Sequence, residues 1–415
     1  EKSFNKRWAG VLFAALMMVC AIGSGNMPQI NNIASVLDST FSIPKLATGL
    51  ILGVMLWLII SGGIKRIAKI ASKLVPFMAV IYFGGALVVV IENYQNIIPS
   101  FHSIFSQVFS GSAAAGGFLG ASFAMSLKLG VARGLYSNEA GQGSSPIAHA
   151  SAKTKHSVEQ GMVSILEPFI DTIVVCSVTA LVILSSGAWT QKYENTFERS
   201  SMAIFAGDYT ESNSSDVEEL GKYILDARKF TSNTTTVKNF SGNLNVINGE
   251  LQQDGITIFH NNSIAEDVTF YKDGEYFDGS LEVSDGDLKD SSIKVEGKSL
   301  IHSAELTSKA FASGVLGKIG EYIVAIGLLL FAFSTAIAWS YYGDRSTAYI
   351  FGENAVPWYR MIYVVSFIAA AVIDTTIVWN IAYVVVALVT IPNLFALFIL
   401  RKEMKEQVTN YVIEK

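Results

Sequence analysis

From Trp8 to Leu37 the chain carries no charged residue. A helical run of about 20 apolar residues is enough to cross the hydrocarbon core of a bilayer. Only helices and closed barrels satisfy every backbone group there. Yet the middle of the run, "AIGSGNMPQINNIA", holds Gly23, Ser24, Gly25, Asn26, Pro28, Gln29, Asn31 and Asn32. Polar groups at membrane depth are costly, so each needs a partner or a purpose. Pro28 removes one intrahelical hydrogen bond and frees a carbonyl oxygen. The two glycines admit close approach of a backbone or a ligand. Asn26 and Gln29, three apart, share a helix face. The cluster either packs helices and bonds neighbouring backbones, or it lines a ligand; the residues alone leave both open.

Seven further apolar runs follow. Eight spans are expected, at about 8–36, 46–63, 75–92, 116–132, 158–188, 319–341, 358–376 and 378–400. With 51% hydrophobic and 16% charged residues, the balance is not that of an ordinary soluble domain. The net charge of −5 conceals a segregation. Lys2, Lys6, Arg7, Lys65, Arg66, Lys69, Lys73, Lys128, Arg133, Lys153, Lys155, Arg345, Arg360, Arg401 and Lys402 fall on alternate connections, whereas the short opposite ones carry little beyond Lys45. The positive-inside rule then places both termini in the cytoplasm, as an even number of spans requires. Trp8, Trp189, Tyr341, Tyr342, Trp358 and Tyr359 stand at span ends, where an aromatic belt is expected.

The expected division is a membrane bundle over 1–188, an extracytoplasmic insertion over 189–318, and a second bundle part with a cytoplasmic tail over 319–415. The insertion is polar and acidic, and its alternating runs predict a β-rich core at about 231–300, with Asp273-Gly274 as a hairpin turn. Ser303 to Leu316 reads as a short amphipathic helix, and 93–115 as an outer loop with an interfacial helix. The inner loop "RGLYSNEAGQGSSPIAHASAKTKHS" contains glycines but not the P-loop order. There is no HExxH, CxxC or GxSxG, so an enzyme has no constellation to support it.

Two further spans carry polar residues. Glu167 and Asp171 lie four apart in "SILEPFIDTIVVC"; Glu167 suits a salt bridge to a loop cation, and Asp171 a structural hydrogen bond. "LLLFAFSTAIAWSYYGDR" sets Ser334 beside Thr335, with Trp339 one turn on. These hydroxyls either bond back to their own helix, or join the Phe331 carbonyl as three hard oxygens for a small cation such as Na⁺.

With these residues in view the chain resembles the sodium:alanine symporter family. The likeness is carried by "AIGSGNMPQINNIA", "GGIKRIAKIASKLVPFMAVIY", "GVARGLYSNEAGQGSSPIAHASAKT", "LEPFIDTIVVCSVTALVILSSGAW", "LLLFAFSTAIAWSYYGDR" and "IPNLFALFIL". The resemblance implies an all-α polytopic membrane protein with a leucine-transporter-like inverted-repeat helix bundle, in which the eight spans are core helices three to ten. The first two core helices are then expected to precede Glu1, so the chain is N-terminally truncated. The long outer insertion and Pro28 also depart from the family pattern.

In that frame Gly25, Asn26 and Gln29 would line the pocket of a small amino acid. Ser122, Phe123 and Ser126 would contact it from the fourth span, and Thr335 and Trp339 from core helix eight. Ser334, Thr335 and the Phe331 carbonyl would hold sodium. The implied activity is sodium-coupled symport of alanine or glycine by alternating access, in a multi-pass monomer of a prokaryotic plasma membrane. It would meet membrane lipid, Na⁺ and amino acid but no nucleic acid, and it would use no organic cofactor. The rival readings are a proton-coupled amino acid transporter, with Asp171 or Glu167 carrying the proton, and a receptor anchored by its spans.

Overall fold

The computed structural model describes residues 6–110, 123–139, 141–227 and 236–414. It divides into two compact units. The first comprises Glu1–Val88, Val131–Ala180 and Leu316–Lys415, the second Val89–Gly130 and Leu181–Val315.

The helices in chain order are α1 (Arg7–Gly23), α2 (Met27–Phe41), α3 (Lys45–Ile60), α4 (Gly63–Glu92), α5 (Ile97–Ser110), α6 (Phe123–Asn138), α7 (Ser145–His149), α8 (Ser157–Ser164), α9 (Leu166–Pro168) and α10 (Cys176–Ser186). They continue with α11 (Ser214–Ala227), α12 (Ser303–Ala312), α13 (Lys318–Phe351), α14 (Val356–Ala370) and α15 (Thr375–Glu414). Among the described residues five stretches are long and apolar enough to cross a membrane: Arg7–Phe41, Gly63–Glu92, Ser157–Ser186, Lys318–Phe351 and Thr375–Ile413. This is a multi-span membrane protein, mostly helical. Two of the other expected spans are shorter helices, α3 with 16 residues and α14 with 15. At about 1.5 Å per residue each falls short of a hydrocarbon core about 30 Å thick. The run at 116–132 is described only from Phe123 onward.

Small residues set the packing of the first unit. Gly49 and Gly53, one turn apart on α3, let it lie against α14, and a Cβ on Gly49 would stand 2.8 Å from Ala371 Cβ. This is the close approach that small residues permit between membrane helices. The shared core gathers Met17 of α1, Ile33 of α2, Ala336 of α13, Tyr363 and Phe367 of α14, and Val389 of α15. Large apolar side chains face outward as well, among them Val54 and Leu58 of α3, Val80 and Leu87 of α4, and Phe395 and Phe398 of α15. Water would not tolerate so much apolar surface on a monomer; acyl chains would.

Two members of the expected aromatic belt are not at an interface. Trp8 and Trp358 are exposed, but Tyr342 and Tyr359 are buried in the core. The Tyr359 hydroxyl donates to the Met18 carbonyl at 3.0 Å. Both tyrosines pack inside the protein, so their position in the sequence near a span end misled.

Among its described residues the second unit carries twelve short strands: β1 (Tyr193–Thr196), β2 (Met202–Ala206), β3 (Lys238–Asn239), β4 (Gly242–Ile247), β5 (Glu250–Leu251), β6 (Ile256–His260), β7 (Ser263–Ile264), β8 (Glu266–Lys272), β9 (Glu275–Tyr276), β10 (Gly279–Ser284), β11 (Asp287–Leu288) and β12 (Ile293–Ser299). They form three four-stranded sheets, ordered β1-β12-β8-β9, β11-β10-β4-β5 and β3-β2-β6-β7. All pairings are antiparallel. Asp273 (φ 52°) and Gly274 (φ 90°) turn β8 into β9, the positive-φ pair of a tight hairpin. Phe270, Leu244, Ile204 and Val295 fill the core, and α11 lays Leu220 and Ile224 against Phe205. His260 is a satisfied core histidine. Its Nε2 accepts from the Glu198 amide at 3.1 Å, which leaves Nδ1–H to donate to Ser299 Oγ at 2.7 Å.

Candidate functional site

The helix Arg7–Phe41 is interrupted at Ser24, Gly25 and Asn26, near its midpoint. The cause lies in Pro28. A residue with an N–H at that position would donate to the carbonyl four residues back, at Ser24; proline has none. The freed Ser24 carbonyl instead accepts the Tyr136 hydroxyl at 2.6 Å. The break is therefore tied to α6, and Gln29 Nε2 reaches the same hydroxyl at 3.4 Å.

Asn26 is fully buried, and its Nδ2 donates to the Tyr363 carbonyl at 2.7 Å. The Tyr363 hydroxyl in turn donates to the Ala336 carbonyl at 2.8 Å, so Asn26 is linked through α14 to α13. Its Oδ1 is enclosed and has no hydrogen-bond partner among the described residues. An unpaired buried amide oxygen costs about 1–3 kcal/mol, which makes it an acceptor in want of a donor or a cation. Asn31 Nδ2 bonds the Ala370 carbonyl at 3.0 Å and the Ile373 carbonyl at 2.6 Å, a structural clamp on the end of α14.

Gly25 and Trp339, both expected at the substrate pocket, meet directly. A Cβ on Gly25 would fall within the van der Waals envelope of the Trp339 Cβ, Cγ and Cδ2 atoms. The space that glycine leaves on α1–α2 is occupied by the indole. Five and four residues earlier on α13, Ser334 Oγ and Thr335 Oγ1 both donate to the Phe331 carbonyl, at 2.8 and 3.0 Å. Both hydroxyls thus bond back to their own helix, on the same carbonyl oxygen that was expected at the cation. Ser122 and the side chain of Phe123 lie outside the described residues. Ser126, on α6, is exposed.

Glu139 is the residue that sequence reasoning missed. It follows α6 with φ 52°, a left-handed conformation rarely adopted by a residue other than glycine. Its carbonyl accepts from the Gln142 and Gly143 amides at 3.0 and 2.9 Å, which closes a turn. Its carboxylate accepts the Trp339 indole N–H at 2.9 Å and the Ser144 hydroxyl at 3.1 Å, and the Tyr342 hydroxyl lies nearby. Nothing in "YSNEAGQGSS" announces a partner 200 residues away; a carboxylate amid glycine and serine reads as a loop residue.

Of the two acids in the expected fifth span, both are exposed. Glu167 accepts from Ser145 Oγ at 3.3 Å and faces His149 Nε2 at 3.3 Å, the loop partner its position suggested. Asp171 falls in a π-helical stretch, Phe169–Val175, between α9 and α10. Such i→i+5 turns are uncommon and rarely legible in a sequence.

A multi-span bundle with one helix interrupted at mid-length, its freed polar groups held inside the protein, is the construction that carriers of small solutes use. The profile of the sodium:alanine symporter family matches residues 1–214 and 291–415, and the chain belongs to that family. It is a family of transporters, not of enzymes. Residues 215–290, outside the match, cover most of the strand-rich region. The chain is similar to an uncharacterized transporter of Haemophilus influenzae, 31% identical over 412 residues, covering 99% of this chain and 67% of that one. It is also similar to the sodium/alanine symporter AgcS of Methanococcus maripaludis, 31% identical over 391 residues, covering 94% of this chain and 62% of AgcS. The transporter YflA of Bacillus subtilis is 42% identical over 191 residues, covering 46% of this chain and 40% of YflA. The chain thus spans about two thirds or less of the length of these relatives.

Proposed function

We propose that the whole protein is a sodium-coupled symporter of a small neutral amino acid, alanine or glycine, working by alternating access in a prokaryotic plasma membrane. The observation that carries this reading is the break at Ser24–Asn26, near the midpoint of a long apolar helix, because it leaves the buried Asn26 amide oxygen unpaired next in sequence to Gly25, on which Trp339 is seated. The likeness to AgcS, a sodium/alanine symporter, supports the choice of substrate and ion. In this reading the eight apolar runs are core helices three to ten of a leucine-transporter-like inverted repeat, both termini of this chain are cytoplasmic, and the strand-rich region faces outward. The carrier works as a monomer.

Asn26 Oδ1 and Gln29 receive the substrate ammonium group, and Trp339 walls off a side chain larger than methyl. Sodium takes the Phe331 carbonyl with the hydroxyl oxygens of Ser334 and Thr335, whose protons rotate away from the ion. Bound sodium fixes the turn that carries Thr335, so each ligand raises the affinity for the other, and the coupling is reciprocal.

Uptake of radiolabelled alanine by the full-length protein in proteoliposomes tests the coupling. Replacing sodium by choline should reduce uptake to the passive leak; equal uptake in choline would overturn the reading. Thr335→Val deletes one oxygen ligand and keeps the shape. Losing a polar contact to a charged group costs about 1.5–3 kcal/mol, so half-saturating sodium should rise by about tenfold or more. An unchanged sodium requirement removes Thr335 from the ion site.

A further inference from the structure

The cycle proposed above gives no part to Glu139. Its carboxylate is held by two neutral donors, Trp339 Nε1 and Ser144 Oγ, with the Tyr342 hydroxyl nearby. Among the described residues no cation lies within ion-pair distance of it. The titratable groups on the elements around it are Cys20 of α1, Tyr136 of α6, His149 of α7, Glu167 of α9 and Tyr342 of α13. The acid among them is Glu167, which faces His149. Arg133 of α6 is spent elsewhere, 3.8 Å above the Trp379 ring. A half-buried carboxylate without a cation is poorly solvated. Burial, with Glu167 adding repulsion, pushes the Glu139 carboxyl up to about 7.

Protonation changes what this carboxylate can hold. Indole N–H is a donor only, and a neutral carboxylic acid accepts a weaker hydrogen bond than a carboxylate does. One of its oxygens also becomes a donor, which Ser144 or Tyr342 must turn to accept. Trp339 is the side chain seated on Gly25 at the helix break.

We propose that Glu139 is a proton-binding site, and that a proton bound there loosens the tie between the inner turn 139–144 and Trp339. Transport then responds to cytoplasmic pH through a group that is neither a substrate nor a sodium ligand. The consequence for transport rests on the sodium-symport reading; the proton site itself does not.

Two measurements separate the two. In the first, the full-length protein keeps Trp339 as its only tryptophan, the others being replaced by phenylalanine, and its emission is followed between about pH 5 and pH 9. A sigmoidal change with its midpoint within about one unit of neutrality is expected, and Glu139→Gln should abolish it. Ser144→Ala, which removes a donor to the anion, should move the midpoint upward; it decides the matter if Glu139→Gln does not fold. No transition in this range, or the same transition in Glu139→Gln, or an unmoved midpoint in Ser144→Ala, overturns the proposal. In the second, sodium-driven alanine uptake is measured against internal pH. The parent should vary several-fold and Glu139→Gln should be flat; a Glu139→Gln profile that follows the parent also overturns it. A protein that shows the emission change but moves no alanine with sodium would sink the symport reading and leave the proton site standing.

Discussion

Gly25→Ala is expected to lower alanine uptake by about 5- to 150-fold while the protein still inserts and purifies. No unusual backbone angle is at issue, since Gly25 does not have the left-handed φ that would exclude alanine. The added methyl group meets Trp339, and the conflict reaches the Trp339 Cβ atom as well as the ring. The indole cannot swing aside cheaply. It is buried, its N–H is held by Glu139 at 2.9 Å, and its edge packs on Tyr342 with ring centres 5.2 Å apart. Either α13 shifts or Trp339 leaves its rotamer. Overpacking of this kind costs about 1–3 kcal/mol, a range of about 5- to 150-fold when it falls on the transporting state. Uptake is measured as kcat/KM in proteoliposomes, beside size-exclusion profiles that control for folding. Replacing Trp339 by leucine in the Gly25→Ala background should return part of the loss. Uptake within twofold of the parent in Gly25→Ala would mean that the Gly25–Trp339 contact is not part of the working cycle.

The two sides of that contact were unequally legible. Glycines and amides in an uncharged run marked a stretch that needed partners, and Pro28 announced a freed carbonyl, because a missing N–H acts on a neighbour four residues away; that the helix is interrupted there was not expected. That Tyr136 takes the freed carbonyl could not be seen, since it lies 112 residues further along the chain. Glu139 is the sharper case. Its environment is made by α13, and the local sequence offers only glycine and serine. Span number was blurred for another reason: apolar content along a chain does not measure helix length, so α3 and α14 read as full spans although they are 16 and 15 residues long. The strand-rich region was recognised from its alternating middle, but its first strands, "YENT" and "MAIFA", are too short to alternate. They become strands by pairing with β12 and β6, far along the chain.

Arg360→Ala should be the most destabilising single change in the helical unit, by about 3–5 kcal/mol. Arg360 counts in the sequence as one of the positive charges on a cytoplasmic connection. It lies instead within α14, where its Nε is 3.0 and 3.2 Å from the two Asp344 carboxylate oxygens and its terminal nitrogen 2.7 Å from one of them. Asp344, on α13, has only 3% of its side chain exposed, and Arg360 has 18%. Arg345 beside it cannot substitute: it is nearly half exposed and pairs with the exposed Glu353. Removing Arg360 therefore strands a buried carboxylate, whereas removing both charges strands nothing. The double variant Asp344→Leu/Arg360→Met should unfold within about 1 kcal/mol of the parent in detergent, although each single truncation unfolds well below it. If the double variant is as unstable as Arg360→Ala, the value of Arg360 lies in its charge toward the membrane surface rather than in its partner. The positive-inside count at this connection would then stand as first made.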